Sequence, residues 1–314
     1  MLRENLEPIH IDGLTKRFDE ETALDGLSLT VAQGEVFGLV GPDGAGKTTT
    51  MRLLTGILLP TAGSAHVAGF DVVKDPEQVK EHIGYVSQRF GLYADLTVNE
   101  NVDFYADIYG VTRQARAERS TRLLEFSGLS AFGRRRAGDL SGGMKQKLAL
   151  TCALIHTPRV LFLDEPTSGV DPVSRRDFWK LLYQLLRQNV TIFVSTAYLD
   201  EAERCSRVAL LDRGKLLALG TPEEVKRLMK GDILEVRSPR PRETSAVLRK
   251  EFPQASVGLF ADRVHVGTEE PEKVQPRIRP VLEAHGIELE EVKTIEPTLE
   301  DVFISILGGR TADG

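Results

Sequence analysis

GLVGPDGAGKTTTMRLL, residues 38–54, decides the fold. A short apolar run, EVFGLV (35–40), leads into a glycine-rich turn, and a helical pattern opens at Lys47. Gly41-Pro42-Asp43-Gly44-Ala45-Gly46-Lys47-Thr48 matches G-x-x-x-x-G-K-[ST]. Glycines let the backbone turn tightly, so that the N–H groups of the loop, through Thr49, face a phosphate. The start of the helix adds its partial positive charge. Lys47 has the reach for the outer phosphates, and the Thr48 hydroxyl suits Mg²⁺. Asp43 puts a carboxylate close to the same phosphates, which costs affinity unless a cation or donor offsets it.

Working outward, four more apolar runs share the character of 35–40: IGYVS (83–87), VLFLD (160–164), TIFVS (191–195) and RVALLD (207–212). Near-continuous apolar runs are the mark of parallel strands buried on both faces. Helical patterns such as FWKLLYQLLRQN (178–189) alternate with them, which predicts an α/β core with a parallel sheet. PIHIDGL (8–14) and LSLTV (27–31) alternate more, as in an antiparallel side sheet. Strand signals vanish between Gln88 and Pro158, so this stretch reads as a helical insertion. The composition shifts at Lys230-Gly231, and a β-α-β-β-α-β order follows, the split βαβ pattern. Pro276 and Pro280 weaken its second helix. PTLEDVFISILGG reads as a last short helix with Thr298 at its cap. The expected domains are 1–228, with a helical subdomain at about 88–158, and 231–308, a ferredoxin-like α+β accessory domain.

VLFLDEP (160–166) ends a buried strand on two acids. Asp164 can hold the shell of a Mg²⁺, and Glu165 can orient or deprotonate a water. LSGGMKQKLAL (140–150) opens a helix after Ser141-Gly142-Gly143, whose bare N–H groups and hydroxyl form an anion site.

The phosphate loop, the SGG stretch and VLFLDEP together resemble the ATP-binding cassette (ABC) transporter ATPases over about residues 6–228. The resemblance implies ATP and Mg²⁺ as ligands. It assigns Phe18 to stacking on adenine, Gln88 to the Mg²⁺ and the water, and Asp171 to a contact across two subunits. It implies a head-to-tail dimer with a second ABC ATPase subunit. ATP would then lie between one phosphate loop and the other subunit's Ser141-Gly142-Gly143. GPDGAGKTTT, QRFGLYADLTV and PTLEDVFISILGG resemble the ATPases of ABC-2 drug and polysaccharide exporters, closest to the first half of bacterial tandem-ATPase multidrug exporters. Integral membrane permease subunits would dock on the insertion, with RFGLYADLTVNEN (89–101) as the candidate surface. The expected location is the cytoplasmic face of the cell membrane, as a peripheral subunit.

One family residue is missing. STAYLDEAE (195–203) carries Ala197 where the family has the histidine that contacts the γ-phosphate. The chain then pairs with a complete ATPase, or homodimerises and works slowly, or serves as a regulatory ATP-binding module. The intact SGG stretch favours the first over the third. A soluble, non-transporting ABC ATPase is the other class, which long coiled-coil insertions or two cassettes would mark.

Bulk numbers fit this frame. The 314 residues carry a net charge of -6, which disfavours nucleic acid as a partner. Arg134-Arg135-Arg136 is a local exception expected in a solvated turn. Two cysteines, Cys152 and Cys205, make no disulfide framework. No run approaches the length of a membrane span.

Overall fold

A computed structural model describes residues 7–88 and 91–310, with side chains through Ile306. It divides into two units, Met1–Glu201 with Cys205–Leu216, and Ala202–Arg204 with Leu217–Gly314.

In the first unit the five apolar runs are neighbours. The strands Arg207–Asp212, Val36–Val40, Thr191–Thr196, Val160–Asp164 and Ile83–Val86 lie parallel in that order. Their side chains are almost all buried on both faces, which is why no alternation shows in the sequence. Val40 pairs with Thr196 and Asp164 with Ser195, so three strands end in one row. The chain leaves that row as the phosphate loop, the Glu165 loop and the Ala197 turn. Ligands of open parallel sheets bind at this carboxyl edge.

A second sheet, antiparallel, runs Glu21–Val31, Ile9–Phe18, Ala62–Val67, Phe70–Asp71. Ile9, Ile11, Leu27 and Leu29 from it share one core with Phe37, Leu39, Phe162 and Phe193 of the parallel sheet. The helix Lys47–Leu54 adds Met51, Leu53 and Leu54 to that core. The strand Ala62–Val67, AGSAHV, has too many small residues to announce itself in the sequence.

The insertion is helical. Val98–Ile108 starts at a capping box of Thr97 and Glu100, and Arg113–Ser127 ends at Gly128 in the left-handed region. Gly142–Leu154 starts on the side chain of Ser141. A lone bridge, Thr97 with Arg136, is its one strand-like feature among the described residues. Arg134, Arg135 and Arg136 are exposed, and Arg135 lies over the Phe132 ring. Cys152 and Cys205 are buried free thiols.

The second unit holds an antiparallel sheet, in the order Ser256–Phe260, Arg263–Thr268, Asp232–Arg237, Glu291–Ile295. Leu234, Val236, Val264 and Val266 face a core with Leu248, Ile278 and Leu282 of the helices Pro241–Glu251 and Pro271–Ala284. The second helix continues through Pro276 and Pro280. Both prolines are exposed, so water can serve the carbonyls they leave unpaired.

The opposite face of this sheet carries Glu235, which is cross-strand partner to both His265 and Lys293. Asp301, in the helix Leu299–Arg310, accepts from His265 Nδ1 at 2.9 Å and from the N–H and hydroxyl of Thr298. Burial disfavours charge on both acids. Arg263 and Lys293 outweigh it at Glu235 and hold that carboxyl at about 2. His265 and Thr298 outweigh it at Asp301 and hold it below the ordinary 3.8. Both folded values are depressed, so this anchorage is complete above the ordinary values, 3.8 and 4.5, and is lost as pH falls through the folded ones. Asp301→Asn should cost about 1–3 kcal/mol. Amide exchange is expected to quicken across residues 299–306 while the sheet keeps its protection. Unchanged exchange there would count against the anchor.

Candidate functional site

The phosphate loop is set by close approaches that only glycine allows. A Cβ on Gly41 would meet the Leu211 carbonyl oxygen at 2.2 Å. Gly46, which caps the helix Lys47–Leu54, has φ +102 and faces the Ala23 carbonyl oxygen at 2.5 Å. Gly44 is also in the left-handed region, at φ +79. Ala45 is buried, Asp43 is exposed, and Thr49 is half-buried beside Thr48.

Lys47 is 4% exposed, and its ammonium turns back across the loop. It donates to the Gly41 and Pro42 carbonyls at 2.7 and 2.9 Å and pairs with Glu165 Oε1 at 3.0 Å. Gln88 Nε2 donates to the other Glu165 oxygen at 2.9 Å. Thr48 Oγ1 donates to Asp164 Oδ1 at 3.2 Å. Lys47, Thr48, Gln88, Asp164 and Glu165 therefore meet at the carboxyl edge of the sheet.

Asp164 is 1% exposed. Burial raises its pKa, against the hydrogen bonds of Ser195 and Thr48. Among the described residues its Oδ2 has no hydrogen-bond partner. A buried carboxylate oxygen left free beside a threonine hydroxyl is the donor set a hard divalent cation takes, so Mg²⁺ fits here.

Ser195 went unnoticed in the sequence. Its hydroxyl donates to Asp164 at 2.7 Å and accepts from the Glu165 N–H at 3.0 Å, so it holds both acids. A strand that is apolar up to its end and then turns to Ser-Thr was the available signal. Glu165 itself sits at φ +48, uncommon for a side chain and frequent at functional positions. Tyr85 was also unforeseen. Burial first, and then the Asp164 charge, push its phenol up to about 12.

Other expected residues do not join this cluster by a hydrogen bond or ion pair among the described residues. Phe18 ends its strand 44% exposed, with the Lys16 ammonium 5.0 Å from the ring centre. Ser141 caps its own helix through Met144 N–H. Gly142 is open, while a Cβ on Gly143 would meet Ser174 at 2.5 Å. Asp171 caps the helix Pro172–Arg187 through Val173 and Ser174, and Ser174 holds its carboxyl below the ordinary range. Ala197 is exposed in the turn after Thr196. Of the segment 89–101, Arg89 and Phe90 lie outside the described residues.

Residues 24–168 match the family described as ABC transporter, and residues 220–307 match the C-terminal domain of DrrA1-3-like ATP-binding proteins. The chain is 44% identical over 304 residues to the probable multidrug ABC transporter ATP-binding protein YbhF of Escherichia coli (strain K12), across 96% of this chain and 52% of that protein. It thus spans about half the length of that relative. It is 35% identical over 308 residues to the daunorubicin resistance ATP-binding protein DrrA2 of Streptomyces coeruleorubidus, across 96% of each. Among solved structures, the ATP-binding subunit of an ABC transporter superposes with a TM-score of 0.64 at 28% identity, over 70% of this chain and 92% of that one. CbiO1 from Clostridium perfringens, part of the ABC transporter complex cbiONQ, gives 0.65 at 25% identity, over 79% and 96%. No helix among the described residues is long and apolar enough to cross a membrane. With a phosphate loop, paired strand-end acids and relatives aligned over 96% of this chain, the chain belongs to the ABC transporter ATP-binding family.

Proposed function

We propose that this chain is the ATP-binding subunit of an ABC-type exporter, powered by ATP-driven dimer closure, with its own site slowed by Ala197. The observation that carries the reading is the meeting of Lys47, Thr48, Gln88, Asp164 and Glu165 at the carboxyl edge of the parallel sheet. Lys47 leaves Glu165 for the phosphates as ATP enters, and the loop N–H groups from Gly44 through Thr49 receive the phosphate oxygens. Asp164, Thr48 and Gln88 would hold a Mg²⁺, which neutralises phosphate charge when bound. Glu165, freed from Lys47, orients the water and takes its proton. Phe18, already exposed, stacks on adenine. Ser141, Gly142, Gly143 and Asp171 serve the partner's site across the dimer.

Residues 1–228 then act as the nucleotide-binding domain, with 88–158 as the helical subdomain, and 231–308 as an accessory domain. Permease subunits dock on the described part of 89–101, where Tyr93 is 51% exposed. They hold the chain at the cytoplasmic face of the membrane. The drug-resistance names of the relatives support efflux as the direction. The pairing with a complete ATPase rests on the intact Ser141-Gly142-Gly143 stretch in a chain that has Ala197.

The test is Mg-ATP binding and turnover by the purified chain. Wild type should bind Mg-ATP and turn over well below about 1 s⁻¹, the low end of the usual range. Lys47→Ala should lose the binding. A chain that binds no Mg-ATP ends the nucleotide reading, and turnover above that rate ends the slowed-site part.

A further inference from the structure

Glu201 is a carboxylate with 0% exposure, on the short helix Leu199–Ala202, and the chemistry above makes no use of it. All of its side-chain partners come from segments that leave the carboxyl edge of the sheet. Oε1 accepts from the Thr167 hydroxyl and lies 3.4 Å from Arg175 Nε. Oε2 accepts from Thr196 Oγ1 at 3.0 Å, and Thr196 Oγ1 in turn accepts from the Tyr198 N–H at 3.0 Å. The Arg175 guanidinium also lies over the Tyr198 ring, 4.2 Å from its centre, and 3.7 Å from Asp200.

These contacts join two loops. On one side is the turn Thr196-Ala197-Tyr198. On the other is the loop from Glu165 to Asp171. That loop is internally stiff, with Ser168 N–H donating to Glu165 O and Val170 N–H to Thr167 O, both at 3.1 Å. Asp171 then caps the helix that carries Arg175, whose N–H donates to Asp171 O at 2.9 Å. Glu201 therefore holds the loop in its middle, at Thr167, and one turn past its end, at Arg175. A buried carboxyl group is costly to leave without partners, so the bonds from Thr167 and Thr196 hold Glu201 between the two loops.

We infer that Glu201 is a positioning residue of the ATP site, tying the Ala197 turn and the Glu165–Asp171 loop into one body that moves together. The inference rests on the nucleotide reading for its consequence but not for its geometry. Ser168, Gly169 and Asp171 are the exposed part of that body. A push on them from a partner subunit is passed through Thr167 and Glu201 to residue 197, whatever side chain stands there.

The test uses the full chain in two arms. In the first, without nucleotide, amide exchange is compared in wild type, Glu201→Gln, Thr167→Val and Thr167→Ser. Glu201→Gln and Thr167→Val should quicken exchange about tenfold in both 166–171 and 196–200, with 160–164 unchanged, as expected for loss of one buried bond. Thr167→Ser, which keeps the hydroxyl, should match wild type. In the second arm, Mg-ATP turnover is read in the faster of wild type and Ala197→His. Glu201→Gln should lower kcat at least about tenfold with KM within twofold, because misplacing groups by an ångström costs rate before it costs binding. Exchange that rises only within 199–202, a kcat left unchanged, or Thr167→Ser behaving like Thr167→Val would each overturn the tie. Absence of Mg-ATP binding in wild type would sink the nucleotide reading alone, and the exchange arm would still decide the tie.

Discussion

Ala197→His should raise Mg-ATP turnover roughly a hundred- to a thousandfold, the usual worth of one polar contact made in the transition state. Alanine can neither donate a hydrogen bond nor titrate. The position is otherwise well placed. Residue 197 follows Thr196, whose carbonyl accepts from the Gly41 N–H at 3.3 Å, so the turn starts beside the first residue of the phosphate loop. The turn is also exposed, which leaves room for an imidazole. Among the described residues no histidine bonds into the cluster in its place. His156 bonds the Ile83 carbonyl and stacks on Tyr109, His265 bonds Asp301, His285 bonds Val281 O, and His82 bonds Gln78 O. His10 and His66 pair with Glu7 and Asp71. The measurement is phosphate release by the purified variant beside wild type. An unchanged rate would mean the imidazole is dispensable, and the case for an asymmetric pair with a complete ATPase would lose its main support.

Phe193→Ala is the substitution with the largest expected effect on stability, about 3–5 kcal/mol. Its ring stacks on Phe37 at 5.3 Å and tilts against Phe162 at 5.6 Å, so it bridges three strands of the parallel sheet. It is fully buried, and a cavity between sheets cannot collapse far. Against a typical total of 5–15 kcal/mol, such a loss is severe. Trp179, the single tryptophan, is buried in the first unit, so its fluorescence during denaturation reports on that unit alone. A midpoint within the error of wild type would refute this account of the core.

The first unit was legible because its chemistry is local. GPDGAGKT and VLFLDEP each place backbone and side chains within one turn, and an apolar strand ending in Asp-Glu, common by itself, gains meaning beside a phosphate loop. The antiparallel side sheet was legible where its strands alternate, at 8–14 and 27–31, and illegible at 62–67, where alanine, glycine and serine erase the signal. Pro276 and Pro280 weaken the local signal of the helix 271–284, and their exposure in the structure removes the penalty.

Sequence alone determined the strand-loop-helix grammar of this protein, the glycine-rich loop with Lys47 and Thr48, the two acids that end the strand 160–164, and the absence of a histidine at 197. All of these depend on neighbours a few residues apart. The tertiary structure decided which distant residues share an atom: Ser195 holding both Asp164 and Glu165, Lys47 pairing with Glu165, and Glu201 gathering Thr167, Arg175 and Thr196. Serine, threonine and glutamate carry no signature of burial in a sequence. Whether a hydroxyl meets water or a buried carboxylate is fixed only when the strand register brings the two loops together.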